Sequence, residues 1–214
     1  MLFKLLNVPT GLFGLYSYLC LVNVKHNRKQ VLQIATGLFC EKGYTALGVD
    51  EILKQTGMTK GAFYNAFGNK ESFVLEALSL YSEENVNRLV RNLEPKPGQP
   101  AVDRLEQFYL EMLEIQDKIN HKGCLVNSMM TELSGTNPSI ANATNMHFNG
   151  ILKNIVPTVQ QAQNEGSLTK TISTEEMAEI LHSSFYGILN RLKSHRSTEA
   201  SMNLFRILIN AFKN

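Results

Sequence analysis

The chain has 214 residues, 43% of them apolar, which is enough to bury a hydrophobic core in one or two domains. Its three cysteines lie far apart, so neither a metal site nor a disulfide framework is indicated. No glycine-rich phosphate loop, nucleophile elbow or zinc-protease motif is present. The sequence therefore predicts no catalytic residue, no metal site and no cofactor.

The net charge of +2 is unevenly distributed along the chain. Residues 25–70 hold seven lysines or arginines and three acidic residues, a net charge of +4, whereas residues 71–214 carry −3. A basic head on an acidic body is typical of a protein that places only its head on DNA. Chance clustering is the alternative.

Residues 1–24 are apolar, carry one charge and resemble a signal peptide or a short membrane span. Pro9, Gly11 and Gly14 would interrupt a helix there, and no small-residue cleavage site is clear. We interpret the segment first as a start site assigned too far upstream. A membrane-tethering or interfacial segment and an unusual structured extension are the two alternatives.

The rest of the chain has helical spacing of apolar residues and no strand-like alternation, so the predicted fold is all-α. The first helix is expected from about Asn27 to Lys42, followed by two short helices and a fourth that begins near Asn69. The fourth helix ends at the proline-rich segment 95–100, which we interpret as an elbow between the head and the body.

The body is predicted to contain five further helices. The first stops near 121–123, and a short helix follows Cys124. A long helix starts at Asn137-Pro138, where a cap precedes a proline, and runs to about Glu165, with Pro157 as a candidate kink. Residues 173–176 form a capping box that opens the first of two C-terminal helices, both apolar over wide faces.

Residues 47–73 carry the most informative pattern, two short helices joined by a tight turn. Val49, Ile52 and Leu53 form one buried face, and Gly57 closes the first of these helices. Thr59 caps the second, where two phenylalanines four residues apart point into the core. The residues left on its outer face are Lys60, Gly61, Ala62, Tyr64 and Asn65. Such a helix can enter a DNA major groove with its N-terminal end leading.

This stretch resembles the helix-turn-helix of the tetracycline-repressor (TetR) family of transcriptional regulators. The resemblance covers residues 28–73 and departs from the family at Leu47-Gly48, where members usually have Thr or Ser before the Val that starts the second helix. The residues that carry it are Ala35, Phe39, Gly43, Tyr44, Val49, Ile52, Gly57, Lys60, Gly61, Phe63, Tyr64, Phe67 and Lys70.

The resemblance implies a DNA-binding head over residues 25–72 and a ligand-binding and dimerisation body over residues 73–214. Lys60 and Lys70 match family lysines that touch phosphates, and Tyr64 is the first candidate for a base contact, with Asn65 meeting a phosphate or a base. The last two helices are expected to pair with their copies in a homodimer that binds an inverted-repeat operator in the cytoplasm.

A second resemblance concerns Gly123-Cys124-Leu125, followed by Glu132-Leu133-Ser134. It is similar to a branch of the family that includes repressors of electrophile and reactive-chlorine detoxification, in part of which the matching cysteine is redox-reactive. Cys124 at a helix start beside His121 and Lys122 is expected to have a lowered pKa. The alternative is that Cys124 is a small buried hydrophobe.

A ligand pocket in the body would suit an apolar or mixed small molecule, because its candidate wall is rich in methionine and aromatic residues. Ordinary core packing is the alternative for most of them. The candidates are Tyr109, Met112, Leu113, Met129, Met130, His147, Phe148, Phe185 and Tyr186.

The leading functional hypothesis is a dimeric transcriptional repressor, released from its operator by a small molecule or by thiol modification. The alternative is a membrane-tethered or non-enzymatic adaptor version of the same fold, located by residues 1–24. A third hypothesis, a thiol enzyme built on Cys124, requires a base for which His121 is the nearby candidate.

Overall fold

The computed structural model describes residues 27–214, which fold into nine helices. The predictions for residues 1–24 lie outside this range. No helix within residues 27–214 has the length and apolarity needed to cross a membrane. The helices are α1 (Arg28–Ala46), α2 (Val49–Thr56), α3 (Lys60–Phe67), α4 (Lys70–Leu93), α5 (Ala101–Lys118), α6 (Leu125–Leu133), α7 (Pro138–Asn164), α8 (Thr174–His195) and α9 (Thr198–Asn210).

The first three helices enclose an aromatic core. Phe73, in the first turn of α4, lies 5.1 Å from the Phe63 ring and 4.6 Å from the Phe67 ring, measured between centroids. On its other side it contacts Phe39 of α1 at 6.1 Å. Because α4 supplies the central ring, the head and the first body helix share one core.

Side-chain caps fix where several helices begin. Thr59 accepts a hydrogen bond from the Ala62 amide, and Ser173 forms the predicted capping box with Glu176. Asn137 caps α7 in the same way, before the proline at its first position. Each such cap contributes on the order of 1 kcal/mol to stability, because it satisfies a helix-end amide.

The break at 95–100 differs from its predicted role. It joins α4 to α5, two helices that both pack in the body, and is therefore not an elbow between head and body. Arg104, buried in α5, holds it: the guanidinium donates to the Leu93 carbonyl at 3.3 Å and to the Gln99 carbonyl at 2.8 Å. A third bond, from Nη2 to Gln161 Oε1 at 2.6 Å, ties the same group to α7.

Gly43 lies just past the predicted end of the first helix, and Pro157 is the candidate kink of the long helix. Residue 43 interrupts α1, with φ +78° and ψ 177°, and the chain resumes helical geometry through Ala46. Pro157, a candidate kink, lies inside α7, which continues from Pro138 to Asn164. Helix α7 packs against α4, α5, α6 and α8 and is the central helix of the body.

Replacing Gly43 by Ala is expected to lower the free energy of unfolding by about 1–3 kcal/mol, because L-residues avoid this backbone region. The added Cβ would also lie 2.7 Å from Oε2 of Glu132. Gly37→Ala, in the same helix, is the matched control, because a Cβ there meets no atom within 4 Å. That control should be neutral or stabilising by up to about 1 kcal/mol. Equal urea midpoints for the two variants would contradict the assignment.

Candidate nucleic-acid interface

Helices α2 and α3 form the predicted helix-turn-helix. Gly57 ends α2 with φ +69°, and α3 begins three residues later. Phe63 and Phe67 are buried, as predicted, while Tyr64 is 41% exposed. The Tyr64 ring stands edge-on to Phe63, with centroids 5.4 Å apart, so the buried ring positions the exposed one.

The other predicted DNA-contacting residues of α3 share this outer face. Lys60, Gly61 and Asn65 are exposed and Ala62 is half-buried. A Cβ built on Gly61 meets no protein atom within 4 Å, so the surface at this point is open. Lys60 belongs to none of the ion pairs formed within residues 27–214. From the N-terminal end of α3 onward, this face therefore presents the Lys60 ammonium group, then the small residues Gly61 and Ala62, then the Tyr64 ring.

Lys70 has an internal role that sequence reasoning missed. Its ammonium donates a hydrogen bond to the Tyr44 carbonyl and lies 4.2 Å from the centre of the Tyr44 ring. Partial burial lowers the pKa of Lys70, an effect opposed by the nearby Glu132 carboxylate. The structure thus places Lys70 as a tie between α4 and the C-terminal end of α1, and a phosphate contact by it stays a prediction.

The departure at Leu47-Gly48 also has a structural consequence. Leu47 is fully buried in the head core, and Gly48 precedes α2 without a side-chain cap. Asp50 and Glu51 occupy the first turn, where negative charge suits the positive end of the helix dipole. Packing and charge stabilise this helix start in place of a capping hydroxyl.

The head is attached to the body at a second place, which the sequence analysis did not identify. The Glu132 carboxylate in α6 accepts hydrogen bonds from the Tyr44 amide at 2.8 Å and from the Thr45 amide at 2.7 Å. Burial raises the pKa of Glu132, but these hydrogen bonds and Lys70 outweigh it, and the net pKa is lowered. Two features of the sequence could have indicated this contact: Glu132 in the Glu132-Leu133-Ser134 motif, and the glycine at position 43 just before the two amides.

Lys193 of α8 adds a contact at the same junction. Its Nζ donates to the Cys40 carbonyl of α1 at 3.4 Å and to Ser128 Oγ of α6 at 3.2 Å. A helix expected in the dimer interface is therefore bonded directly to a head helix.

The surroundings of Cys124 differ from the prediction. The residue is 9% exposed and stands at the N-cap of α6. His121 Nε2 lies 3.0 Å from Asp117 Oδ1, and Lys122 Nζ lies 2.9 Å from Glu41 Oε2, so both predicted activating side chains have other partners. The polar neighbours of Cys124 include the hydroxyls of Tyr81 and Tyr186. Burial raises the pKa of both hydroxyls, and the nearby thiol raises them further. Burial raises the pKa of the other described thiol, Cys40, to about 12.

The predicted ligand-wall residues do not gather around one cavity. Tyr109, Met129 and Phe185 are buried in the body core. Met112 lines a cavity of about 680 Å³ between α1, α4 and α5, which also contains Cys40 and Arg88. His147 lines a separate groove of about 400 Å³ between α4 and α7.

A cluster of aromatic rings surrounds His182 in the body. The Phe148 and Tyr186 rings lie 4.8 and 4.7 Å from the His182 ring, measured between centroids. His182 Nδ1 lies 3.4 Å from the Tyr109 hydroxyl. Burial lowers the pKa of His147 to about 4 and that of His182, with His147 as a further cause, to about 3. Both imidazoles are therefore neutral at physiological pH.

Comparison with known proteins identifies the class to which this geometry belongs. A model of the N-terminal domain of the tetR family of bacterial regulatory proteins matches residues 31–77, and a tetracyclin repressor-like C-terminal domain matches residues 101–208. A helix-turn-helix ahead of such a body defines a DNA-binding transcriptional regulator. The chain belongs to the TetR family.

Curated relatives agree with this assignment. The transcriptional repressor DhaR from Mycobacterium sp. (strain GP1) is 26% identical over 172 residues, covering 80% of this chain and 85% of the relative. The transcriptional repressor NemR from Escherichia coli (strain K12) is 24% identical over 184 residues, covering 85% and 92%. These relatives confirm the predicted function as a DNA-binding repressor, and they do not show what the effector is.

Solved structures confirm the fold. A TetR regulatory protein from Rhodobacter sphaeroides superposes with a TM-score of 0.80 at 23% identity, covering 88% of this chain and 99% of the other. The reduced form of E. coli NemR gives a TM-score of 0.73 at 23% identity, covering 88% and 98%. The all-α prediction, with an N-terminal helix-turn-helix and a helical body, is correct.

The lowered histidine pKa values make stability depend on acidity. Unfolded histidines take up protons as the pH falls below about 6.5, whereas buried His147 does so only near pH 4. The folded state therefore loses stability as the pH falls from about 6.5 to 4, by up to about 1.4 kcal/mol per pH unit for each histidine. In urea titrations, the free energy of unfolding of His147→Phe should fall less steeply than that of wild type between pH 6.5 and 4. Between pH 7 and 8 the two proteins should show the same dependence on pH. Identical slopes at pH 4.5–6 would refute this account.

Proposed function

We propose that the protein is a homodimer that binds a short inverted repeat through α3 and is released when a small molecule or a thiol reagent acts on the body. The observation that carries the DNA proposal is the exposed face of Lys60, Tyr64 and Asn65 on a helix whose opposite face, Phe63 and Phe67, is fixed in the head core.

The chemistry of that face suggests how it reads DNA. Gly61 and Ala62 allow the N-terminal turn of α3 to approach the groove floor, and the helix amides there favour phosphate. Lys60 supplies sequence-independent affinity, since phosphate contacts set register. Tyr64 can donate a hydrogen bond to a base edge and pack against a thymine methyl group, so it supplies sequence preference.

The dimer proposal is supported by the surface of the last two helices. Ile180 of α8 and Leu204 and Ile207 of α9 are 38%, 46% and 59% exposed. Large apolar side chains on adjacent helices are stabilised by a partner surface. A two-fold axis there would present two copies of α3 to matching half-sites.

Thiol modification is the second proposed route of release. Cys124 begins α6, and Glu132, near the other end of this nine-residue helix, accepts the Tyr44 and Thr45 amides of the head. Bulk added at a buried thiol would displace α6 and with it this acceptor. The thiol-enzyme hypothesis gains no support, because no hydrogen bond joins His121 to Cys124 within residues 27–214, and His121 Nε2 lies instead 3.0 Å from Asp117 Oδ1 and 3.4 Å from Thr198 Oγ1.

The DNA proposal predicts different effects for the two principal residues of the face. Duplexes selected from a random library by the full-length protein provide the operator. Tyr64→Ala should weaken binding to the operator by about 1–3 kcal/mol, because a base contact is lost, and should weaken binding to a scrambled duplex much less. Lys60→Ala should weaken both alike and lower the salt slope by about one. Lys153→Ala, an exposed lysine of α7, is the matched control and should change neither. Unchanged operator affinity in both α3 variants would show that another surface reads DNA.

The thiol proposal predicts that Cys124→Ser binds the selected operator normally but resists release by a mild quinone or hypochlorite. Wild type should lose about 100-fold in affinity, which corresponds to ~2.7 kcal/mol. Cys40→Ser is the control, since burial raises the pKa of that thiol and disfavours attack. Release of Cys124→Ser at the wild-type dose would exclude this route.

A further inference from the structure

Five buried polar atoms of the body have no hydrogen-bond partner among the described residues, and two of them are the imidazole nitrogens His147 Nδ1 and His182 Nε2. These two histidines are only 6% and 4% exposed. Burying a polar group without a partner is unfavourable, so a molecule that supplies one gains binding energy that an apolar wall could not give.

His147 connects this set with the groove between α4 and α7. The walls are mostly apolar: Leu75, Leu78 and Val86 come from α4, and Ala143 and Gly150 come from α7. Met146, 74% exposed, stands at the rim. A volume of about 400 Å³ lies within the range of small-molecule sites and holds one or two rings.

The charges around the groove restrict what it can hold. Glu83 is the one charged residue of its lining, and no lysine or arginine faces it. A negative ligand would therefore lose its hydration and meet repulsion. Because burial keeps the imidazole of His147 neutral, that side chain can accept or donate a hydrogen bond but cannot neutralise an anion.

We propose that the α4–α7 groove binds an uncharged small molecule with an apolar ring body and one hydrogen-bonding group, which pairs with His147. The proposal rests on the proposed function and identifies the effector site and the chemical class of the effector. The Nδ1 atom makes no hydrogen bond that reorientation of the ring would break. A bound molecule would press on α4, the helix whose first turn carries Phe73 against the rings of α3.

The chemical class can be tested with 2-naphthol as the probe and 2-naphthoate as its anionic counterpart. The chain contains no tryptophan, so naphthol fluorescence reports binding without interference. We expect saturable binding of naphthol, with naphthoate at least tenfold weaker. His147→Phe should weaken naphthol about fivefold, as for loss of one hydrogen bond, and leave 2-methylnaphthalene unchanged. Absence of naphthol binding at 1 mM, or tighter binding of naphthoate, would overturn the proposal.

The location can be tested with two glycine variants that fill different cavities. Gly150 lines the groove and Gly37 lines the cavity beside α1, and a Cβ on either meets no atom within 4 Å. Gly150→Leu should abolish naphthol binding at unchanged or higher thermal stability, whereas Gly37→Leu should retain it. The reverse result would place the probe beside α1 and refute the groove site.

Binding of the selected operator without probe, measured for every variant, separates the two proposals. Wild type that binds naphthol as described but no duplex would overturn the proposed function and leave the groove site standing. Operator binding that naphthol does not weaken, with naphthol bound, would overturn the effector role of the groove while DNA binding stands.

Discussion

The packing of Phe73 between the rings of α1 and α3 is the contact on which the geometry of the proposed DNA-reading face depends. Phe73 belongs to the first turn of α4, yet it is the central ring of the head core. Cores at close-packed density transmit displacement because rings have no room to slide past one another. The orientation of α3 therefore follows the N-terminal end of α4, a 24-residue helix whose remainder packs against both α1 and the body.

The junction of α1 with α6 supplies a second, chemically different constraint. The Glu132 carboxylate accepts two backbone amides just after the glycine that interrupts α1, and Lys193 bonds α8 to the same helix. The head is held along α4 by the packing of Phe73 and by two ion pairs of α1, Arg28 with Glu76 and Lys29 with Glu84, and it is held again at α6. Attachment to two helices restricts its orientation, and a dimer requires one orientation so that its two heads fit a fixed half-site spacing.

The sequence allowed prediction of what depends on local chemistry and short spacing. Phe63 and Phe67 are four residues apart and leave Tyr64 outside, and Thr59 and Ser173 cap helices because their hydroxyls fit the first-turn amides. Contacts between residues distant in sequence were missed. Nothing local distinguishes Lys70 as a partner of the Tyr44 carbonyl, and the proline-rich 95–100 segment has the composition of a hinge until Arg104 is seen to hold its carbonyls. His121 and Lys122 precede Cys124 closely in the chain, yet their side-chain nitrogens bond elsewhere because neighbouring residues in a loop point in different directions.

The magnitudes indicate which junction contact can control DNA binding. Release by two orders of magnitude needs about 2.7 kcal/mol of preference for the released state. The Lys122–Glu41 pair is partly solvated, and such pairs contribute only about 0–1 kcal/mol. The Glu132 carboxylate accepts two amides of the head, but it is itself exposed to solvent, so each bond contributes toward the low end of about 0.5–1.5 kcal/mol. The Glu132 contact is therefore the larger of the two, and it supplies part of the required preference. A signal from the groove, which moves α4, and a signal from Cys124, which moves α6, would therefore act on the two constraints that together hold the head.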